Sequence, residues 1–156
     1  MSLSDQLKDS ARWFDAAQDD GEAARILAEQ GLYAAAAACF HVQQALEKAF
    51  KGLLAANGPI PKTHSLEELS TMAPIEGGWE EQEVIKLDRF YLTARYPDAL
   101  PSGSTARKHF TQKDAEEAIA IARGGMDILS RWAVSLGVPL TIGQRSANPT
   151  THKEPK

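Results

Sequence analysis

The sequence is poor in three features that mark common classes of protein: cysteine, long apolar runs and positive charge. Its one cysteine, Cys39, excludes an intrachain disulfide and a cysteine-based metal site, and its place among alanines predicts a buried, unreactive thiol. No apolar run approaches the ~20 residues of a membrane span, and residues 1–10 lack the apolar segment of a signal peptide. The formal charge of −4 argues against binding of duplex DNA or an anionic membrane. A soluble, cytoplasmic protein is therefore expected.

Several chemical signatures are also missing. The sequence contains no Gly-rich phosphate loop, no His-Glu metal signature and no Ser-His-Asp set, and its 4 histidines have no metal-ligand spacing. We therefore expect neither a resident metal nor a cofactor, and the residue pattern alone assigns no catalytic residue. With 156 residues, the chain is long enough for one domain around one core.

Apolar residues recur at helical spacing along most of the chain, and no segment alternates as a strand would. The predicted helices cover residues 4–29, 33–54, 66–73, 79–95 and 111–136. Four long helices and one short one favour an all-α fold, an up-and-down antiparallel bundle spanning residues 1–138. Residues 98–110 are predicted to form an exposed, mobile loop, and residues 139–156 a disordered tail.

Local signals place the helix ends. Ser4 or Asp5 is positioned to cap the first helix, and Gly31 to follow its end. Gly21 weakens the middle of that helix and predicts a bend or a close helix contact. Before the last helix, Thr111 and Asp114 have the spacing of a capping pair.

Three segments in order resemble one family: QQALEKAFKGLL at residues 43–54, THSLEEL at 63–69 and YLTARYPD at 91–98. Together they resemble the HEPN domain, a nucleotide-binding helical domain of higher eukaryotes and prokaryotes, over residues 7–136. The resemblance implies an all-helical bundle, a homodimer and, in prokaryotes, a small nucleotidyltransferase-type partner in systems like toxin–antitoxin pairs.

Ribonuclease members of that family carry an Arg followed by a His after four to six residues, near the start of the last long helix. Here Arg107 and His109 lie in that region with only one residue between them. Arg145 and His152 have a permitted spacing but fall in the predicted tail. The sequence therefore resembles a branch without the ribonuclease motif at its usual place.

Arg95 is the leading ligand-binding candidate. It follows Tyr91 by one helical turn and precedes Tyr96, so a guanidinium and phenols are expected to lie together, where they could hold a phosphate and stack a base. The structural alternative is that Arg95 satisfies the carbonyls at the helix end or pairs with Asp98 or Glu47.

The central helix carries a polar stripe of Gln44, Glu47, Lys48 and Lys51. Gln44 and Glu47 are expected to be structural partners, whereas Lys48 and Lys51 are candidates for phosphate contacts or parts of a solvated face. Lys51 is the better ligand candidate, since it lies toward the loop that contains His64. His64 is predicted either to fix that loop or to act as a base or phosphate donor.

The leading hypothesis is a non-catalytic, dimeric module that binds a nucleotide-like anion or a nucleotidyltransferase partner. One alternative is a metal-independent toxin ribonuclease that uses His64 or His109 with Arg95 or Arg107. Another is an architectural protein that only dimerises and presents its tail to a partner.

Overall fold

The computed structural model describes residues 1–73, 75 and 81–141, and within them the chain is helical without strands. These described residues form seven α-helices in chain order: α1 Leu3–Glu29, α2 Ala35–Ala55, α3 Leu66–Met72, α4 Glu81–Asp88, α5 Phe90–Thr93, α6 Ala106–His109 and α7 Gln112–Ser135. Two 3₁₀ turns, Leu32–Ala34 and Pro97–Ala99, precede α2 and follow α5. The predicted all-α fold class is confirmed. None of the described helices is both long and apolar enough to cross a membrane.

Helices α1 and α2 form the predicted antiparallel hairpin. The cap of α1 is Ser2, whose Oγ accepts a hydrogen bond from the backbone N–H of Asp5 at 3.2 Å, so the cap predicted at Ser4 or Asp5 is two residues too late or more. Gly31 follows the helix with a φ of 84°, the left-handed conformation that glycine adopts at low cost. That turn reverses the chain into α2.

The core forms around α2, which packs against α1, α3, α5 and α7. Its buried apolar residues interlock with Phe14 of α1 and Leu129 of α7. Each fully buried leucine or phenylalanine contributes about 1.5–3 kcal/mol relative to an exposed one. The buried side chains of α2 itself are Ala35, Ala38, Cys39, Val42, Gln43, Ala45, Leu46, Glu47, Ala49, Phe50, Lys51, Leu53 and Ala55. Polar groups are therefore part of the interior of this helix.

The last long helix begins where its capping pair predicts. Thr111 Oγ1 accepts from the backbone N–H of Asp114 at 3.1 Å, while the Asp114 carboxylate accepts from the backbone N–H of Thr111 at 2.7 Å. This reciprocal arrangement is a capping box, which satisfies donors that the first turn leaves unpaired. The helix ends before Gly137, whose φ is 88°.

The predicted fourth helix is interrupted. Instead of continuing to residue 95, α4 ends at Asp88, and α5 covers only four residues after a turn at Arg89. Its predicted start at residue 79 lies outside the described residues. The interruption coincides with two tertiary contacts: Asp88 accepts from the backbone N–H of Leu66 at the start of α3, and the ring of Phe90 packs edge-on against Phe110.

Residues 98–110, which are predicted to form a mobile loop, are partly helical. This segment contains the second 3₁₀ turn and α6, and both Leu100 and Phe110 are buried. These two side chains anchor the segment, and their burial overrides the loop-like composition around them. Most of the predicted tail, residues 142–156, lies outside the described residues, whereas Leu140 packs against the core.

Gly52 in α2, rather than Gly21 in α1, marks the close helix contact. A Cβ at position 52 would lie 2.8 Å from Cδ2 of Phe14, whereas a Cβ at position 21 would meet nothing within 4 Å. Helix α1 runs through Gly21 without interruption. The hydroxyl of Ser10 also donates to the carbonyl oxygen of Gly52 at 2.6 Å, which a short approach of the two helices permits.

We expect Gly52→Ala to destabilise the protein by about 1–2 kcal/mol, since overpacking against the buried Phe14 ring outweighs the ~1 kcal/mol gain in helix propensity. Gly124→Ala in α7 is the matched control, because a Cβ there meets nothing within 4 Å, and it should stabilise by roughly 0.5–1 kcal/mol. Urea unfolding measures both. Equal effects of the two substitutions would contradict the close contact at Gly52.

Candidate functional site

The carboxylate of Glu47 is the centre of the polar stripe on α2. Its side chain is only 5% exposed, and its Oε1 accepts from Lys51 Nζ at 2.8 Å and faces His64 Nδ1 at 3.0 Å. Its Oε2 accepts from Gln44 Nε2 at 3.2 Å and from Gln43 Nε2 at 3.4 Å. A buried carboxylate is tolerable when paired in this way. Glu47 thus pairs with Lys51 and His64, instead of the predicted Arg95.

His64 is held in place by three contacts. Besides the contact of Nδ1 with Glu47, its carbonyl oxygen accepts from Gln43 Nε2 at 3.0 Å. Its ring stacks on Tyr91 of α5, with centroids 4.9 Å apart and planes at 11°. Since a carboxylate can only accept, the contact requires a proton on Nδ1, and in the neutral form of the ring Nε2 is then unprotonated. The side chain remains 55% exposed.

Arg95 lies two residues beyond the end of α5, against a set of aromatic rings. Its guanidinium carbon is 4.9 Å from the ring centroid of Phe40, 5.0 Å from that of Tyr96 and 5.6 Å from that of Tyr91. These rings are its cation–π partners, and no described carboxylate forms an ion pair with it. The predicted alternatives, pairing with Asp98 or Glu47, do not occur. We call Phe40, His64, Tyr91, Arg95 and Tyr96 the Arg95 site.

The lysine candidates are engaged elsewhere. Lys51 is the better candidate by sequence, but its side chain is 8% exposed, bonded to Glu47, and lies 5.9 Å from the ring centroid of Trp13. Burial and this ion pair leave it little access to a ligand. Lys48 instead pairs with Asp20 of α1. The same Asp20 carboxylate faces His41 Nδ1 at 2.7 Å. Sequence spacing does not reveal Asp20 as the partner, because it comes from another helix.

The remaining candidates lie outside this arrangement. Arg107 of α6 stacks on the ring of Tyr33 at 4.5 Å, and His109 contacts Phe110 edge-on at 5.1 Å. Asp98 is exposed in its 3₁₀ turn. Burial, with a smaller contribution from the charge of Asp114, raises the pKa of the Cys39 thiol to about 12. In the described parts of the chain, no group of three or more His, Cys, Asp or Glu residues could hold a metal ion.

Sequence reasoning misses two contributors to the site. Phe40 follows the apolar stripe of its helix, yet it provides the nearest ring to Arg95. Gln43 has no role in the predicted polar stripe, although its position four residues before Glu47 places the two on one helix face. The role of Gln43 can be detected from its spacing to Glu47. The role of Phe40 depends on how α5 packs against α2.

The described residues form an all-helical bundle with a polar cluster on its central helix. The HEPN domain family model matches residues 10–132, and the chain therefore belongs to the HEPN family, as its sequence resemblance predicts. Its structure is similar to that of TT1696 from Thermus thermophilus, with a TM-score of 0.73 and 31% identity over 80% of this chain and 98% of that one. It is also similar to ST0689, an archaeal HEPN homologue, with a TM-score of 0.63 and 31% identity over 81% and 97% of the two chains. No curated protein matches the chain.

We expect Glu47→Gln to lower the free energy of unfolding by roughly 3 kcal/mol, since it leaves the buried ammonium of Lys51 without its counter-charge. Glu117→Gln in α7 is the control: it removes the exposed partner of Lys113 and should change stability by less than about 1 kcal/mol. Urea denaturation of the three proteins provides the comparison. A small loss for Glu47→Gln would show that this carboxylate does not organise the cluster.

Proposed function

We propose that this HEPN domain is a non-catalytic module that binds a nucleotide-like anion at the Arg95 site. The observation that carries the proposal is the environment of the Arg95 guanidinium, which lies against three rings and forms no ion pair with a described carboxylate. Cation–π contacts hold the guanidinium in place, and they leave its N–H donors without a described carboxylate partner.

The geometry suits a phosphate. The guanidinium of Arg95 has N–H donors that no described carboxylate occupies, and two such donors match two oxygens of a phosphate. Tyr96 is 46% exposed and offers a ring on which a base can stack. One face of Tyr91 is already covered by His64, so Tyr96 is the better stacking surface.

The non-catalytic part of the proposal rests on the position of the family's ribonuclease motif. Helix α7 contains no histidine, and Arg107 and His109 have the wrong spacing just before it. A homodimer, a nucleotidyltransferase-type partner and a cytoplasmic location complete the proposal, and they are supported by the family resemblance and the overall composition.

A second candidate is a metal-independent ribonuclease, which the pairing of His64 with Glu47 favours. A carboxylate on Nδ1 orients an imidazole so that Nε2 can accept a proton from a ribose hydroxyl, with Arg95 near the phosphate. Incubation of the purified protein with single-stranded RNA separates the two candidates. Intact RNA supports the binding module, whereas cleavage that is lost in His64→Gln supports the enzyme.

Calorimetric titration with AMP, GMP and ATP tests the binding proposal. We expect measurable binding by the wild type and at least a tenfold loss in Arg95→Ala, since each charge-assisted contact is worth about 1.5–3 kcal/mol. Arg123→Ala removes an exposed arginine from α7 and should bind like the wild type. Absence of binding to all three nucleotides would overturn the proposal. An Arg95→Ala protein that only loses stability would favour the architectural alternative.

A further inference from the structure

His64 has a second ring nitrogen that the fold does not use. Nδ1 faces Glu47, while no described group forms a hydrogen bond or ion pair with Nε2, and the side chain is 55% exposed. In the neutral ring this Nε2 carries a lone pair, which repels the oxygens of an anion. Nε2 becomes a donor to an anion only when the ring gains a second proton.

The charged groups around His64 determine the net charge of the site before and after the ring gains a proton. From α2, the ring faces the carboxylate of Glu47, which the ammonium of Lys51 neutralises at 2.8 Å. From α5 it faces the uncharged phenol of Tyr91, behind which lies the guanidinium of Arg95. Without an added proton, these groups therefore leave one net positive charge, and with the proton they leave two.

The acid at the end of α4 is left out of that sum, because it forms no ion pair with His64. The carboxylate of Asp88 accepts from the hydroxyl of Ser65 at 2.8 Å and from the backbone N–H of Leu66 at 2.9 Å. Both its oxygens are thus directed at the first turn of α3, where a negative charge is stabilised by the helix dipole.

His64 and Arg95 flank the same ring. The centroid of Tyr91 is 4.9 Å from that of His64 and 5.6 Å from the guanidinium carbon of Arg95, so the two cationic groups are separated by no more than the sum of these distances. Arg95 is exposed and can reorient over its several side-chain torsions. Once Arg95 reorients, one anion beside Tyr91 can contact both groups.

We propose that the Arg95 site binds the terminal phosphate monoester of a nucleotide together with one proton, which enters at Nε2 of His64. This inference rests on the proposed function and specifies its ligand class, a dianionic monoester rather than a diester. The imidazolium then donates from Nδ1 to Glu47 and from Nε2 to the phosphate. A diester, with one negative charge, needs only Arg95.

Because the monoester is proposed to bind together with one proton, its affinity depends on pH. A phosphate monoester gains its second charge at about pH 6, so above that pH the extra proton of the complex is taken up from the solution. Affinity for the monoester therefore falls as pH rises above about 7, by up to about tenfold per pH unit, the slope for one linked proton. Affinity for a diester is independent of pH over the same range.

The experiment compares AMP with its methyl phosphate ester by calorimetry between pH 6.5 and 8.5, in two buffers of different ionisation enthalpy. The two probes share base and sugar and differ by one negative charge. We expect AMP to bind with uptake approaching one proton per site at pH 7.5, and the methyl ester to bind with none. This comparison uses the wild-type protein and does not depend on the folding of a variant.

Two histidine variants locate the proton. His64→Gln should abolish proton uptake on AMP binding and flatten the pH profile for AMP. His41→Gln is the matched control, since His41 also faces a carboxylate through Nδ1 but that acid is Asp20, and the ring does not stack on Tyr91. It should keep the wild-type proton uptake.

The outcomes distinguish this inference from the proposed function. Equal affinity for AMP and its methyl ester without proton uptake would overturn the inference and leave the anion site at Arg95 intact. The same holds if His64→Gln keeps the wild-type pH profile. If neither probe binds, the inference is wrong, and the proposed function is also wrong if GMP and ATP fail to bind.

Discussion

The carboxylate of Glu47 is the constraint on which the polar part of this structure depends. A charge this deeply buried is stable only with hydrogen-bond partners and a counter-charge, and Glu47 obtains them from its own helix and from the loop before α3. Lys51 supplies the counter-charge, while Gln43 and Gln44 occupy the second oxygen. The contact with His64 therefore ties that loop to α2, and the stack on Tyr91 continues the link to α5.

The need of buried carboxylates for a counter-charge also determines which cations are paired within the bundle. Two carboxylates, Asp20 and Glu47, each face one histidine and one lysine, so Lys48 and Lys51 are committed within the bundle. Arg95 is different, because its neighbours among the described residues are aromatic rings. Of the cationic candidates Lys48, Lys51 and Arg95, the one that remains for a ligand thus lies just beyond α5 and not on the central helix, although the central helix carries the polar stripe.

Periodicity and capping chemistry are sufficient to predict much of the fold. The three longest helices, the turn at Gly31 and the capping box at Thr111 follow from local rules that act within a few residues. The break after Asp88 and the burial of Phe110 do not, since both depend on contacts with distant segments. Local composition favours a continuous helix and a loop, and tertiary packing overrides both preferences.

The site is predictable only in part, for the same reason. Helical spacing places Glu47 beside Lys51 and Tyr91 beside Arg95. The predicted loop before the third helix contains His64, and Lys51 lies toward that loop. It cannot show that Glu47 faces His64 instead of Arg95, because that choice is made between separate elements.

Nitrogen NMR of the histidine ring tests the role of Glu47 most directly. In the free protein near pH 8, the account predicts that His64 carries its proton on Nδ1 and none on Nε2, and that saturating AMP adds a proton to Nε2. A free His64 with its proton on Nε2 would contradict the account, since that tautomer cannot donate to Glu47.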